Sequence, residues 1–180
     1  MLWTFIVAAT LFSQAAVADQ KDPRLNELFQ KLHEADTIEE SLPIQHGIWQ
    51  LWLQSGSPTV DLLMSKGSAA MEEQDADIAL TMFNAVVELK PEYAEGWNKR
   101  ATLFYMMGRN EESLKDIDRV LKLEPRHFGA LSGLGLVHMA MKHPSEALKA
   151  MQRALDANPH LPNMREQIDQ LKKKVEGEKI

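Results

Sequence analysis

Histidine and methionine side chains crowd one short stretch of the chain, between His138 and His143. Imidazole and thioether groups are ligands that copper accepts. On a helix, however, His138 and Met141 share one face and Met139 shares another with His143, because side chains three or four positions apart are neighbours. The spacing favours ordinary helix residues, with copper binding by His138 and Met141 as the alternative. We expect no resident metal or cofactor.

Three glycines lie just before this stretch, at Gly129, Gly133 and Gly135. A dinucleotide-binding glycine loop needs a preceding strand and a tight turn, whereas these glycines fall inside a helical pattern. They are interpreted as residues that allow close packing and widen a groove. The sequence also contains no H-E-x-x-H, G-x-S-x-G or Walker motif, which are the arrangements that position a metal, a nucleophile or a phosphate. We therefore expect a protein that is not an enzyme.

One pattern occurs three times, over residues 60–93, 94–127 and 128–161. Each copy contains two helical segments, and a proline prevents the second one from continuing. Two antiparallel helices approach closely where a small residue of one faces a bulky residue of the other. Prolines follow the second segments at a spacing of 34 residues, at Pro91, Pro125 and Pro159. The eighth position is small (Gly67, Ala101, Gly135) and the twenty-fourth is bulky (Phe83, Ile117, Met151).

This pattern resembles the tetratricopeptide repeat (TPR) family, whose period is 34 residues. The resemblance implies an all-α fold, a right-handed superhelix (α-solenoid) of helix-turn-helix hairpins. It also implies a non-catalytic protein-interaction module such as an adaptor, scaffold or chaperone-like protein. In the second copy the family's usual leucine is replaced by Arg100, and we predict that Arg100 forms an ion pair with Asp116 on the paired helix.

Two flanking segments complete the expected organisation. Residues 19–59 are predicted to form a degenerate helical hairpin, and residues 162–180 a C-terminal capping helix and tail with a solubilising polar face. Trp49 and Trp52 lie in the hairpin. They are interpreted as an N-terminal cap packed against the first full repeat. The alternative is an exposed aromatic docking patch.

The first 18 residues contain no charged side chain and end in a small-x-small sequence, Ala16 to Ala18. This is typical of a secretory signal peptide cleaved after Ala18. A retained membrane anchor is the competing interpretation, although the apolar run is short for a bilayer span. After cleavage we expect no stable membrane insertion and a periplasmic or secreted location. The chain thus resembles the small secreted or periplasmic TPR proteins of Gram-negative bacteria.

The formal charge of −6 and the lack of a basic stripe argue against nucleic acid as a partner. In TPR arrays the first helices of the repeats line a concave groove that binds a segment of a partner. The resemblance therefore implies a protein or peptide partner, with an apolar or basic segment suited to this groove. A carrier of a small apolar ligand is the alternative. By position in the repeat, the groove residues are Asp61, Met64, Ser68, Met71, Glu72, Glu95, Asn98, Thr102, Tyr105, Met106, Gly129, Ser132, Leu136 and Met139.

Some family members hold the C-terminal carboxylate of heat-shock chaperones with a set of Lys, Asn and Arg side chains. The matching positions of this chain are Met64, Ser68, Lys99, Gly129 and Gly133. Only one of them is basic, so the resemblance does not extend to this carboxylate clamp.

Overall fold

The structure is a computed structural model that describes residues 20–177, and within that range it is all α-helical. No helix of this range is long and apolar enough to cross a membrane. The predicted signal peptide lies outside the described residues. The helices are α1 (Arg24–Glu34), α2 (Ile38–Trp52), α3 (Pro58–Glu72), α4 (Ala76–Leu89), α5 (Ala94–Met106), α6 (Asn110–Leu123), α7 (Phe128–Ala140), α8 (Pro144–Ala157) and α9 (Met164–Gly177).

Helix starts follow the local sequence. Ser57 accepts a hydrogen bond from the backbone N–H of Val60, and Pro58 occupies the first turn of α3, where its missing N–H costs nothing. Thr37 caps α2 in the same way. Pro43 lies inside α2 and neither delays its start nor ends it.

The three repeats are the helix pairs α3–α4, α5–α6 and α7–α8, which stack in chain order. A Cβ atom added to Gly67 would lie 2.6 Å from Phe83, and one added to Gly135 would lie 2.7 Å from Met151. The predicted contact of small and bulky residues is therefore confirmed. The described part of the chain has the all-α solenoid fold that the sequence predicts.

Arg100 and Asp116 form the predicted ion pair between α5 and α6. The Arg100 Nε and Nη2 atoms donate to the two carboxylate oxygens of Asp116 at 2.7 and 2.8 Å. Arg100 Nη1 donates to Asn84 Oδ1 of the preceding repeat at 2.9 Å. The pair therefore also connects the first repeat to the second.

The N-terminal hairpin of α1 and α2 does not cap the first repeat, so that prediction is wrong. Trp52 is buried and stacks on His127, which begins the third repeat's first helix. Trp49 lies edge-on to His127 and Phe128. The alternative of an exposed aromatic patch is also wrong for Trp52, which is 1% exposed. Phe29 of α1 and the two tryptophans form one apolar cluster with Phe128 of the third repeat.

Hydrogen bonds hold this hairpin along the edge formed by the connections between repeats. Arg126 donates to Asn26 Oδ1 at 3.0 Å, and Asn158 Nδ2 donates to Gln45 Oε1 at 2.9 Å. The Tyr93 hydroxyl donates to the carbonyl of Leu53 at 3.0 Å. The hairpin therefore crosses the ends of all three repeats instead of extending the solenoid.

Helix α9 lies against the third repeat. Met164, Ile168 and Leu171 join the core formed by α7 and α8, and the charged side chains of α9 remain exposed. This arrangement covers the apolar face of the last repeat with a helix whose outer side is polar.

Candidate binding groove

A groove runs along the face formed by the first helices of the repeats. Between α5 and α7 it deepens into a cavity of about 210 Å³. Its apolar lining comes from three helices and includes the small and β-branched side chains of Ala101, Ile117, Ala130 and Val137.

Gly133 explains why this cavity exists. A Cβ atom added there would have nothing nearer than Ile117 Cδ1 at 3.9 Å, so the missing side chain leaves open space. Gly129, one helical turn earlier, has a different role, because an added Cβ would lie 2.8 Å from the indole of Trp49. The N-terminal hairpin thus approaches the start of α7 closely and bounds the groove at that end.

Polar side chains surround the apolar lining. The Thr102 hydroxyl donates to the carbonyl of Asn98 at 2.9 Å, and the Ser132 hydroxyl donates to the carbonyl of Phe128 at 2.8 Å. Because both protons are used within the helices, the hydroxyl oxygens face the groove as acceptors. Tyr105 adds a half-buried phenol. The rim therefore suits hydrogen-bond donors of a ligand.

The groove continues beyond this cavity. A second cavity, of about 420 Å³, lies between α7 and α9, and Leu136 lines both cavities. Met139, Met151 and Leu171 contribute much of its apolar lining. A further hollow of about 240 Å³ lies where α5 ends and contains Met71 and Met106. The first two cavities are therefore adjacent, and the third hollow lies separately near the end of α5.

The structure brings most of the predicted groove residues to this face, with two corrections. Met64 and Glu95 are buried and cannot contact a partner as they stand. Met64 packs into the core between α3 and α4, in the same apolar cluster as Phe83 and Val86 of α4. Asp61 is exposed, but its carboxylate accepts hydrogen bonds from Ser55. The remaining predicted residues are exposed or half-buried: Ser68, Met71, Glu72, Asn98, Thr102, Tyr105, Met106, Ser132, Leu136 and Met139.

Glu95 is buried because other side chains satisfy its carboxylate. His127 Nε2 lies 3.1 Å from Glu95 Oε2, and Asn98 Nδ2 donates to the same oxygen at 2.9 Å. Lys99 Nζ lies 3.9 Å from Oε1. This acid therefore fixes Asn98 at the rim and joins α5 to the start of α7.

No motif predicts the Glu95–His127 contact, because the two residues stand at opposite ends of the second repeat, 32 positions apart. His127 Nδ1 accepts the backbone N–H of Ala130, which caps α7 and leaves Nε2 to carry the proton toward Glu95. The side chain is fully buried between α7 and Trp52. Sequence reasoning missed it because its role depends on where the N-terminal hairpin docks.

The histidines of the predicted copper alternative are near each other, with the rings of His138 and His143 6.1 Å apart. Burial lowers the pKa of His138. Within residues 20–177 no group of three or more His, Cys, Asp or Glu side chains converges on a metal position. A copper site would have to be built from these two histidines and neighbouring methionines.

Comparison with known proteins decides the family. A profile described as "Tetratricopeptide repeat" matches residues 64–114 and 98–162. A TPR repeat-containing protein of Rhizobium etli is 37% identical over 167 residues, which cover 93% of this chain and 82% of that protein. The chain belongs to the tetratricopeptide repeat family. In this TPR protein α3, α5 and α7 are the first helices of the three repeats.

Two other similar proteins have names that mention chaperones. Hsp70-Hsp90 organizing protein 2 of Arabidopsis thaliana is 25% identical over 164 residues, covering 91% of this TPR chain but only 26% of its own length. The solved structure of the first TPR of Spaghetti (RPAP3) bound to the HSP90 peptide SRMEEVD superposes with a TM-score of 0.63. It is 18% identical and covers 66% of this chain and 94% of that one. At that identity the likeness concerns the fold.

The residues at the carboxylate-clamp positions of this TPR protein place little charge in the groove. Met64 is buried, Gly129 and Gly133 have no side chain, and Lys99 lies against Glu95. The space at Gly133, where a clamp would place a cation, is instead part of the apolar cavity.

Proposed function

We propose that this TPR protein is a non-catalytic interaction module whose groove binds an extended protein segment. The observation that carries the proposal is the continuity of the groove: Leu136 lines both the cavity between α5 and α7 and the one between α7 and α9. Successive hollows accept successive side chains of an extended segment.

The side chains that line the groove indicate which kind of partner segment it binds. The lining of the hollow at Gly133 is apolar, so it fits an apolar side chain of the partner. The Thr102 and Ser132 oxygens accept hydrogen bonds, and Glu72, which is exposed on α3, adds negative charge. Backbone N–H groups and basic side chains of a partner complement these acceptors. We therefore propose an apolar segment with flanking basic residues, and no C-terminal carboxylate requirement.

A peptide-library selection on the purified protein tests this proposal. Selected peptides should contain an apolar anchor. They should bind the Gly133→Leu variant at least about tenfold more weakly than the wild type, because leucine fills the hollow. A tenfold change in affinity corresponds to ~1.4 kcal/mol. The matched control Thr81→Leu adds the same side chain on an exposed part of α4 and should bind normally. Equal binding to Gly133→Leu would move the interaction off this groove. A small apolar molecule found by native mass spectrometry, and lost in Gly133→Leu, would support the carrier function instead.

We also propose that the protein acts outside the cytoplasm after removal of residues 1–18. The support is the uncharged apolar N-terminus with small residues at Ala16 and Ala18. The intact mass of the protein recovered from its own cells, after osmotic-shock fractionation, tests this. A mass corresponding to a start at Asp19 in the shock fluid is expected. The full 20.4 kDa chain in the cytoplasmic fraction would refute export.

A further inference from the structure

The first helix of the first repeat has a face that its counterparts bury. In α5 the third residue of the repeat is Gly96, and an added Cβ would lie 2.6 Å from Val86 of the preceding repeat. In α7 the same position is Ala130, which is 1% exposed. In α3 it is Leu62, and this leucine is 56% exposed. The position is thus an interface between repeats, and in α3 it holds a large apolar side chain without a neighbouring repeat.

The tenth position of the repeat shows the same contrast between α3 and the helices α5 and α7. Leu103 of α5 and Val137 of α7 are buried against the preceding repeat, whereas Ala69 of α3 is exposed. Leu62 and Ala69 are seven residues apart, so they lie on one stripe of the helix. The N-terminal hairpin does not cover this stripe, because Trp52 docks on the third repeat. Among residues 20–177, the solenoid therefore begins with an interface that no other element covers.

Two charges lie on the same stripe, Lys66 and Glu73. Both are exposed, and neither forms an ion pair within residues 20–177. Lys66 lies three residues before Ala69, and Glu73 lies four residues after it. When two copies of α3 pack antiparallel with their Ala69 residues at the crossing, Lys66 of each copy comes close to Glu73 of the other. Small residues at a crossing also allow the helix axes to approach.

We propose that a second copy of this chain docks on the α3 face, forming a two-fold dimer through Leu62, Ala69 and reciprocal Lys66–Glu73 pairs. A two-fold contact is self-complementary and closes at two copies. Stacking of the α3 face on the other end of the solenoid is disfavoured, because the outer side of α9 carries exposed charges such as Arg165, Asp169 and Lys172. The groove on the concave face is a separate surface, so this dimer does not depend on the proposed peptide binding.

Sedimentation equilibrium of the full-length chain, as its cells process it, tests the dimer. One helix per partner makes a small interface, so a dissociation constant of roughly micromolar size is expected, and concentrations of about 1 to 300 µM cover it. Leu62→Glu should weaken the dimer at least about tenfold. Leu42→Glu is the matched control, because Leu42 is equally exposed, at 55%, but lies on α2. Circular dichroism establishes that both variants remain folded.

A charge exchange tests the reciprocal pairing itself. Lys66→Glu alone places like charges across the interface and should weaken the dimer, and Lys66→Glu with Glu73→Lys in one chain should restore it. Mixing the single variants Lys66→Glu and Glu73→Lys should give heterodimers, because the first chain then carries two negative side chains at the interface and the second carries two positive ones. A wild-type protein that stays monomeric over the whole range, or a Leu62→Glu variant that still dimerises, would overturn the proposal. Dimerisation that persists with Lys66→Glu would overturn the antiparallel pairing.

Discussion

The indole of Trp52 stacks on the imidazole of His127, with the ring centroids 4.1 Å apart and an angle of 8° between the planes. His127 in turn caps α7 through its Nδ1 atom and contacts the Glu95 carboxylate through Nε2. One stacking contact therefore connects the N-terminal hairpin, the second repeat and the third repeat. The hairpin is part of the structural unit that holds the groove, even though it is not a repeat.

Replacement of Trp52 by alanine should therefore destabilise the whole solenoid. Removing a buried tryptophan costs about 3–5 kcal/mol of the free energy of unfolding, which urea denaturation followed by circular dichroism measures. Trp52→Phe is the control. Because Trp52 Nε1 has no hydrogen-bond partner in the described structure, phenylalanine keeps the stack without losing a bond and should cost much less. An alanine variant as stable as the wild type would show that the hairpin is not docked in solution.

Two glycines of the repeats should respond in opposite ways to alanine. In Gly67→Ala the new methyl group would lie 2.6 Å from Phe83, and such overpacking costs about 1–3 kcal/mol of stability. In Gly133→Ala the methyl group enters open space, and alanine stabilises a helix by up to about 1 kcal/mol relative to glycine. Thermal unfolding of the two variants compares them directly. Equal shifts of the melting temperature would contradict the different packing of the two glycines.

Arg100→Leu should be costly although leucine is the family's usual residue. The substitution leaves the buried Asp116 carboxylate without its bidentate partner, and breaking such a pair costs about 3–5 kcal/mol. The double variant Arg100→Leu with Asp116→Ala reproduces the third repeat, where Leu134 and Ala150 occupy these positions. Urea denaturation should show that the double variant recovers most of the loss. A double variant less stable than the single one would indicate that Asn84 and the neighbouring aromatic rings need the arginine.

The stability of the third repeat should depend on pH through His138. Burial lowers the pKa of His138 below its ordinary value of about 6.5, and nearby His143 acts in the same direction while Glu146 opposes it. The unfolded chain therefore binds this proton more readily than the folded one, and stability decreases as the pH falls below about 6.5. His138→Phe copies Phe104 at the same position of the second repeat. Its unfolding free energy should fall less than that of the wild type between pH 7.5 and 5, and an equal fall would contradict this assignment.

Much of the groove could be predicted from the sequence because a repeat fixes the helix face on which each residue lies. Thr102, Ser132 and Leu136 are at the groove for this reason. Glu95 was predicted there too, but it is buried because His127 satisfies its charge. The repeat pattern assigns a residue to a helix face, whereas burial depends on which side chain from a distant part of the chain lies opposite.

The sequence by itself determined the helix pairs, their order and the contacts between small and bulky residues such as Gly67 and Phe83, because these depend on neighbours at fixed spacing. It also indicated the Arg100–Asp116 pair, since the partner lies in the same repeat. Only the tertiary structure decided where the N-terminal hairpin docks. Burial of Trp49 and Trp52 is favourable against any apolar surface, because the hydrophobic effect has no direction. The choice of the third repeat came from aromatic stacking on His127 and Phe128 and from the close approach at Gly129, which no local spacing encodes.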